Sequence, residues 1–107
     1  MDPIRIIRNE DIEKVLIGVP KGHKHLRVYV KLKNNSAIIF QEATIANILR
    51  AYVTIKTHPR IKAQELKMHV LGGTSQKQGY ALHQLLEISR RQEEIEEELR
   101  EFLEEST

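Results

Sequence analysis

The chain has 107 residues, 40% hydrophobic and 30% charged, with no cysteine and a formal net charge of +2. That describes one domain with a modest core and a crowded polar surface, and it excludes disulfides and thiolate metal sites. A cysteine-free chain suits a reducing compartment, no apolar run approaches the roughly 18 to 20 residues of a membrane span, and "MDPIRIIRNED" lacks the apolar core of a signal peptide, so a soluble cytoplasmic protein is expected.

The small net charge conceals a polarity. Residues 1–91 carry 16 Lys/Arg against 7 Asp/Glu, and residues 92–107 carry 1 against 8, so a body of +9 is joined to a tail of −7. A Glu- and Lys-rich composition without Cys or Trp also suits a heat-adapted protein.

Taken in chain order, "IRIIR" (4–8) is a β-branched run and predicts a strand. Asn9 reads as the cap of a short helix, with Glu10, Asp11 and Glu13 at its positive end, Ile12, Val15 and Leu16 on one face, and Gly18 with Pro20 ending it. "KGHKH" is a basic loop. In "LRVYVKLK", Leu26, Val28, Val30 and Leu32 alternate strictly with Arg27, Tyr29, Lys31 and Lys33, which predicts a strand with one apolar and one basic face. "NNS" turns it into "AIIFQ", a hairpin. Thr44 then caps a helix whose apolar arc is Ile45, Ile48, Leu49, Tyr52, Val53 and Ile55, opposite a polar stripe of Asn47, Arg50, Thr54 and Thr57, and Pro59 ends it. "KAQELKMHV" alternates as a strand, "GGTSQKQG" connects, and one long helix closes the chain.

The order βαββαβα predicts an α+β fold: a four-stranded, mainly antiparallel sheet with helices on one face and a long C-terminal coiled-coil, leucine-zipper-like helix. Residues 1–79 form the basic body and 80–107 the oligomerisation helix. That helix spaces Ala81, Leu85, Ile88, Gln92, Ile95, Leu99 and Phe102 in a 4-3-4-3-4-3 heptad seam. Leu85, Ile88, Gln92, Ile95, Leu99 and Phe102 are therefore expected to join chains into a homodimer or homotetramer. In a parallel pair Arg91 faces Glu96 of the other chain. The alternative is a stripe that packs back on its own domain.

Catalytic chemistry has little to work with. No histidine lies in an HExxH spacing, no GxSxG occurs, and His23 and His25 sit in a lysine-bearing loop that would repel a metal. "GGTSQKQG" lacks the Gly-Lys-Ser/Thr ending of a P-loop. No catalytic residue, cofactor or metal is expected, so the chain does not read as an enzyme.

The cations say more. Twelve Lys/Arg stand between Lys14 and Lys77 against Glu42 and Glu65 alone. A single-sign strand face bearing an aromatic suits a polyanion with unpaired bases: phosphates meet Arg27, Lys31 and Lys33, and a base stacks on Tyr29. Tyr29 reads alternatively as cover for an exposed sheet face. Phe40 is core or platform depending on the hairpin register, and Tyr52 is core. Lys67 and His69 share the polar face of their strand, diluted by Glu65. "RAYVTIKTHPRIK" (50–62) holds no carboxylate, and its Arg50, Lys56, Arg60 and Lys62 are expected to flank the sheet as a phosphate-tracking rim.

With its small basic α+β body, a sheet carrying cations and an aromatic, and the ending "EISRRQEEIEEELREFLEE", the chain resembles the archaeal ThermoDBP-type single-stranded DNA-binding proteins and their shorter relatives. The resemblance implies a four-stranded antiparallel sheet with helices forming a basic cleft, zipper-mediated assemblies, and binding to single-stranded DNA or RNA. The expected function is a non-catalytic, largely sequence-independent binder of single-stranded DNA or RNA. The alternative is a protein-interaction module that assembles through its C-terminal coiled coil, its basic body only solubilising.

Overall fold

The computed structural model describes residues 4–70 and 83–106. After a 3-10 turn at Asn9–Asp11 the elements are β1 (Ile12–Gly18), β2 (Arg27–Leu32), β3 (Ala37–Gln41), α1 (Glu42–Thr57), β4 (Leu66–Val70), β5 (His83–Glu87) and α2 (Gln92–Ser106). They build two antiparallel sheets, one ordered β1-β2-β3 and one of β4 with β5. The expected single four-stranded sheet and long C-terminal helix are both wrong. Residues 4–8 form no strand, "IEKVLIG" is a strand rather than a helix, and the C-terminal helix is 15 residues long.

The error at β1 has a physical cause. Ile12 and Val15 are three apart, a helical spacing, yet Ile12 pairs with Leu32 and Val15 with Val30, on one face of the sheet. A bulge between Ile12 and Lys14 inserts one extra residue, so that a spacing of three returns to the same side. Beyond it Val15 and Ile17 alternate normally.

The β2–β3 hairpin closes through Lys33–Ser36. Asn35 adopts a left-handed φ of 71°, which asparagine tolerates, and the Asn34 side-chain oxygen accepts from the Ser36 N–H at 3.0 Å. The register pairs Val28 with Phe40 and Val30 with Ile38 on one face, and Tyr29 with Ile39 on the other. Val28 and Leu32 are buried and Phe40 is half-buried, on the side where α1 meets β2 and β3.

α1 also packs on β5, and it does so with the wrong stripe. Asn47 is 6% exposed, with Ala43, Ala51 and Thr54 half-buried, whereas Tyr52, expected in the core, is 57% exposed and Ile48, Leu49 and Val53 face outward with it. Ile45 and Ile55 of the expected arc are half-buried as well; the residues toward β5 are small, and the polar ones satisfy themselves locally: Asn47 Nδ2 donates to the Ala43 carbonyl at 2.7 Å and Thr54 Oγ1 to the Arg50 carbonyl at 3.0 Å. The helix ends as Pro59 requires, with His58 N–H donating to the Thr54 carbonyl.

The heptad seam is interrupted. Leu85 lies in β5 opposite Met68, and Ile88 follows that strand, its N–H donating to the Glu65 carbonyl at 3.2 Å. Gln92, Ile95, Leu99 and Phe102 remain on α2, and Ala81, "GGTSQKQG" and the 79/80 boundary lie outside the described residues. Arg91, expected to reach Glu96 of another chain, bonds its own Glu94 at 3.0 Å. Arg90 ties α2 to the body by bonding both Glu65 and Glu98. Those two carboxylates, Glu98 first, hold its guanidinium further in the charged form. No helix among the described residues is long and apolar enough to cross a membrane.

Candidate nucleic-acid interface

Residues opposite one another in a ladder share a face, so the register builds the surface around Tyr29. Leu16 and Ile39 stand on either side of it in a row across three strands, roughly 10 Å wide. Leu16 is 57% exposed and Ile39 62%, and Tyr29 between them is half-buried. On one side of it lies Arg27, opposite Gly18 and Gln41, and the missing side chain at Gly18 leaves room above the guanidinium. On the other side lie Lys31 and Lys14, directly opposed. The surface is an apolar strip bordered by cations, and only its central column was predicted.

Two like charges facing each other across a ladder repel, and Glu13, the bulged residue, offsets this. Its Oε2 accepts from Lys31 Nζ at 2.9 Å. The Lys31 hydrogen bond, with the attraction of its charge, holds the Glu13 carboxyl below the usual glutamate range. The same bond raises Lys31 above the usual lysine value. Lys31 is therefore already engaged, and Lys14 and Arg27 are the freer cations on this face. Lys33 follows β2 in the exposed turn, its N–H donating to the Asp11 carbonyl at 2.9 Å.

The remaining expected residues do not join this surface. Phe40 sits opposite Val28, on the α1 side of the sheet, so the hairpin register makes it core. Arg50 and Lys56 are on α1, and Arg60 and Lys62 on the exposed loop after it, where His58 Nδ1 accepts from the Arg60 and Ile61 N–H groups. None of the four lies in the three-stranded ladder around Tyr29. Arg50 lines a cleft of about 230 Å³ between α1 and the second sheet, with Asn47, Thr54, Gln64, Leu86 and Glu87. Lys67 is on β4, exposed and 3.9 Å from Glu65. Of the loop histidines, His25 lies 3.3 Å from Glu42, and no group of three His, Asp or Glu among the described residues is placed to hold a metal ion.

Leu16, Ile39 and Lys14 were missed. The available signal was the alternation of Val15, Ile17 and Val19 and the β-branched content of "IEKVLIGV", both outweighed by the helical spacing of Ile12, Val15 and Leu16. Compared with known proteins, the chain matches no family model, no curated protein and no solved structure.

Proposed function

We propose that the open face of the β1–β2–β3 sheet binds single-stranded DNA or RNA without catalysis and with little sequence preference, in the cytoplasm. The observation that carries this reading is the row Leu16–Tyr29–Ile39, exposed at its two flanks and half-buried at Tyr29, between Arg27 and the Lys14–Lys31 pair. An apolar strip with an aromatic at its centre offers bases a surface to stack on, and that requires them to be unpaired. Cations on both borders meet the phosphates that run along such a strand and release their counterions. Successive side chains on one face of β2 stand roughly 6 to 7 Å apart, close to one extended nucleotide, so a base at Tyr29 and phosphates near Arg27 and Lys31 are compatible.

The test is binding of a fluorescent single-stranded oligonucleotide at roughly 50 and 200 mM salt, with a duplex of equal length as control. Affinity for the single strand should fall by an order of magnitude or more across that range. The duplex should bind more weakly. A salt-insensitive complex, or none at low salt, removes the sheet face from consideration.

A further inference from the structure

Ile48, Leu49, Tyr52 and Val53 fall at i, i+1, i+4 and i+5 of α1, share one face, and are all exposed. Lys56 continues the stripe one turn beyond Tyr52, and residues 43–64 hold four Lys/Arg with no carboxylate. A contiguous patch of four large apolar side chains on a charged surface marks a contact site. Charge identifies what fits it.

α2 carries the matching object. Ile95, Leu99 and Phe102 form one stripe at 4-3 spacing, but only its start is covered: Ile95 is 7% exposed, Leu99 48% and Phe102 47%. Glu96 and Glu98 border the stripe, Glu98 already bonded to Arg90, and the helix holds eight glutamates against Arg100, a net −7. Its last turns place Glu101 and Glu104 at the negative end of the helix dipole, so a helix of this length and charge order is marginal without a packing partner.

We propose that α2 of one copy of this chain lays its Leu99–Phe102 stripe on the Leu49–Tyr52 face of α1 in a second copy, its carboxylates beside Lys56. The exchange is reciprocal and closes a twofold dimer. Charge separates this pairing from the two other ways of joining the helices. Packing α2 on α2 sets −7 against −7, and packing α1 on α1 sets Arg50 and Lys56 against their own copies, with the helix's one carboxylate, Glu42 in the first turn, already held by His25 and the Leu26 N–H. Only α1 against α2 joins apolar to apolar and opposite sign to opposite sign. No nucleic acid takes part, so this contact and the sheet-face reading fail independently.

The chain has no cysteine, so introduced ones report pairing cleanly. Full-length Leu49→Cys and Leu99→Cys chains of different tagged mass are mixed and oxidised without nucleic acid. A second mixture of Tyr52→Cys with Phe102→Cys guards against an ill-oriented pair. The expected product in both is the disulfide between unlike variants, with each variant alone remaining uncrosslinked. Leu49→Glu, its helix content checked by circular dichroism, should weaken the parent dimer by roughly 100-fold in dissociation constant. The parent dimer itself should loosen as salt rises, since its charges are partly exposed. A monomer mass for the parent by light scattering, or disulfides only between like variants, overturns the proposal.

Discussion

In β2 the separation of apolar from polar residues ends with Val28 and Leu32 in the core and Tyr29 on an open face. In α1 a comparable separation ends with Asn47 inside and Tyr52 outside. Both segments announce which residues share a face, and only one announces which face turns inward. The difference lies in what each must approach. Val28 and Leu32 lie on the buried face of the first sheet, where bulk fills space. α1 must also meet β5, and Ala43, Asn47 and Ala51 allow that approach where Leu49 or Tyr52 would hold the helix away. Asn47 and Thr54 tolerate burial because the helix's own carbonyls accept their protons.

The largest test of this contrast is Leu32→Ala against Leu49→Ala. Truncating buried Leu32 should cost about 2–5 kcal/mol in urea unfolding at any protein concentration. Leu49→Ala should change the dilute chain by about 0.5 kcal/mol or less, because its side chain already faces water, and should destabilise only at concentrations where copies associate. Equal losses at both positions would mean that α1 turns the other way.

Next in size is Tyr29→Ala, expected to cost about 1–3 kcal/mol of single-strand affinity by fluorescence titration while leaving the circular dichroism unchanged. Tyr29→Phe should bind almost as the parent does, since stacking uses the ring and not the hydroxyl. Full affinity in the alanine variant would remove the centre of the proposed strip.

Asn47→Ala sharpens the comparison from within the helix. Asn47 is nearly as buried as Leu32, yet its loss should shift unfolding free energy by less than about 1 kcal/mol. Alanine's better helix propensity offsets one local hydrogen bond. A loss as large as that of Leu32→Ala would show that the amide holds more than its own helix.

The smallest effect belongs to Glu13. Its carboxyl is held low in the folded state, so its contribution is present above the ordinary glutamate range and is lost as pH falls through the depressed value. Glu13→Gln should therefore remove part of the acid sensitivity of the thermal midpoint, scanned from about pH 6 to 3. The same change frees Lys31, which should steepen the salt dependence of single-strand binding by about 0.7 if one more phosphate is met. An unchanged slope would place Lys31 outside the contact.

Much of the first sheet was legible because its signals are local. Strict alternation in "LRVYVKLK", the Asn-Asn-Ser turn and the Pro59 stop act over a few residues each. The site was legible only along one strand. Leu16, Lys14 and Ile39 join Tyr29 through ladder register, which a bulge at Glu13 shifts by one and which no spacing in β1 reveals. The C-terminal seam failed for a related reason: a 4-3 repeat through Leu85 and Ile88 fits a helix, yet pairing with Leu66–Val70 satisfies the same backbone as a strand.

The amino-acid sequence by itself determined the charge polarity, the absence of thiol chemistry, the β2–β3 hairpin with its two faces, and the end of the central helix, whose start lies at Glu42 and not after Thr44. These follow from composition and from the steric and hydrogen-bonding habits of neighbouring residues. Tertiary structure alone decided that β1 and β5 are strands, that Phe40 is core while Leu16 and Ile39 border Tyr29, and that α1 turns its small polar stripe inward. Burial is a property of pairs of surfaces: a stripe is inside only when another surface fits against it, and the shape of that surface is written elsewhere in the chain.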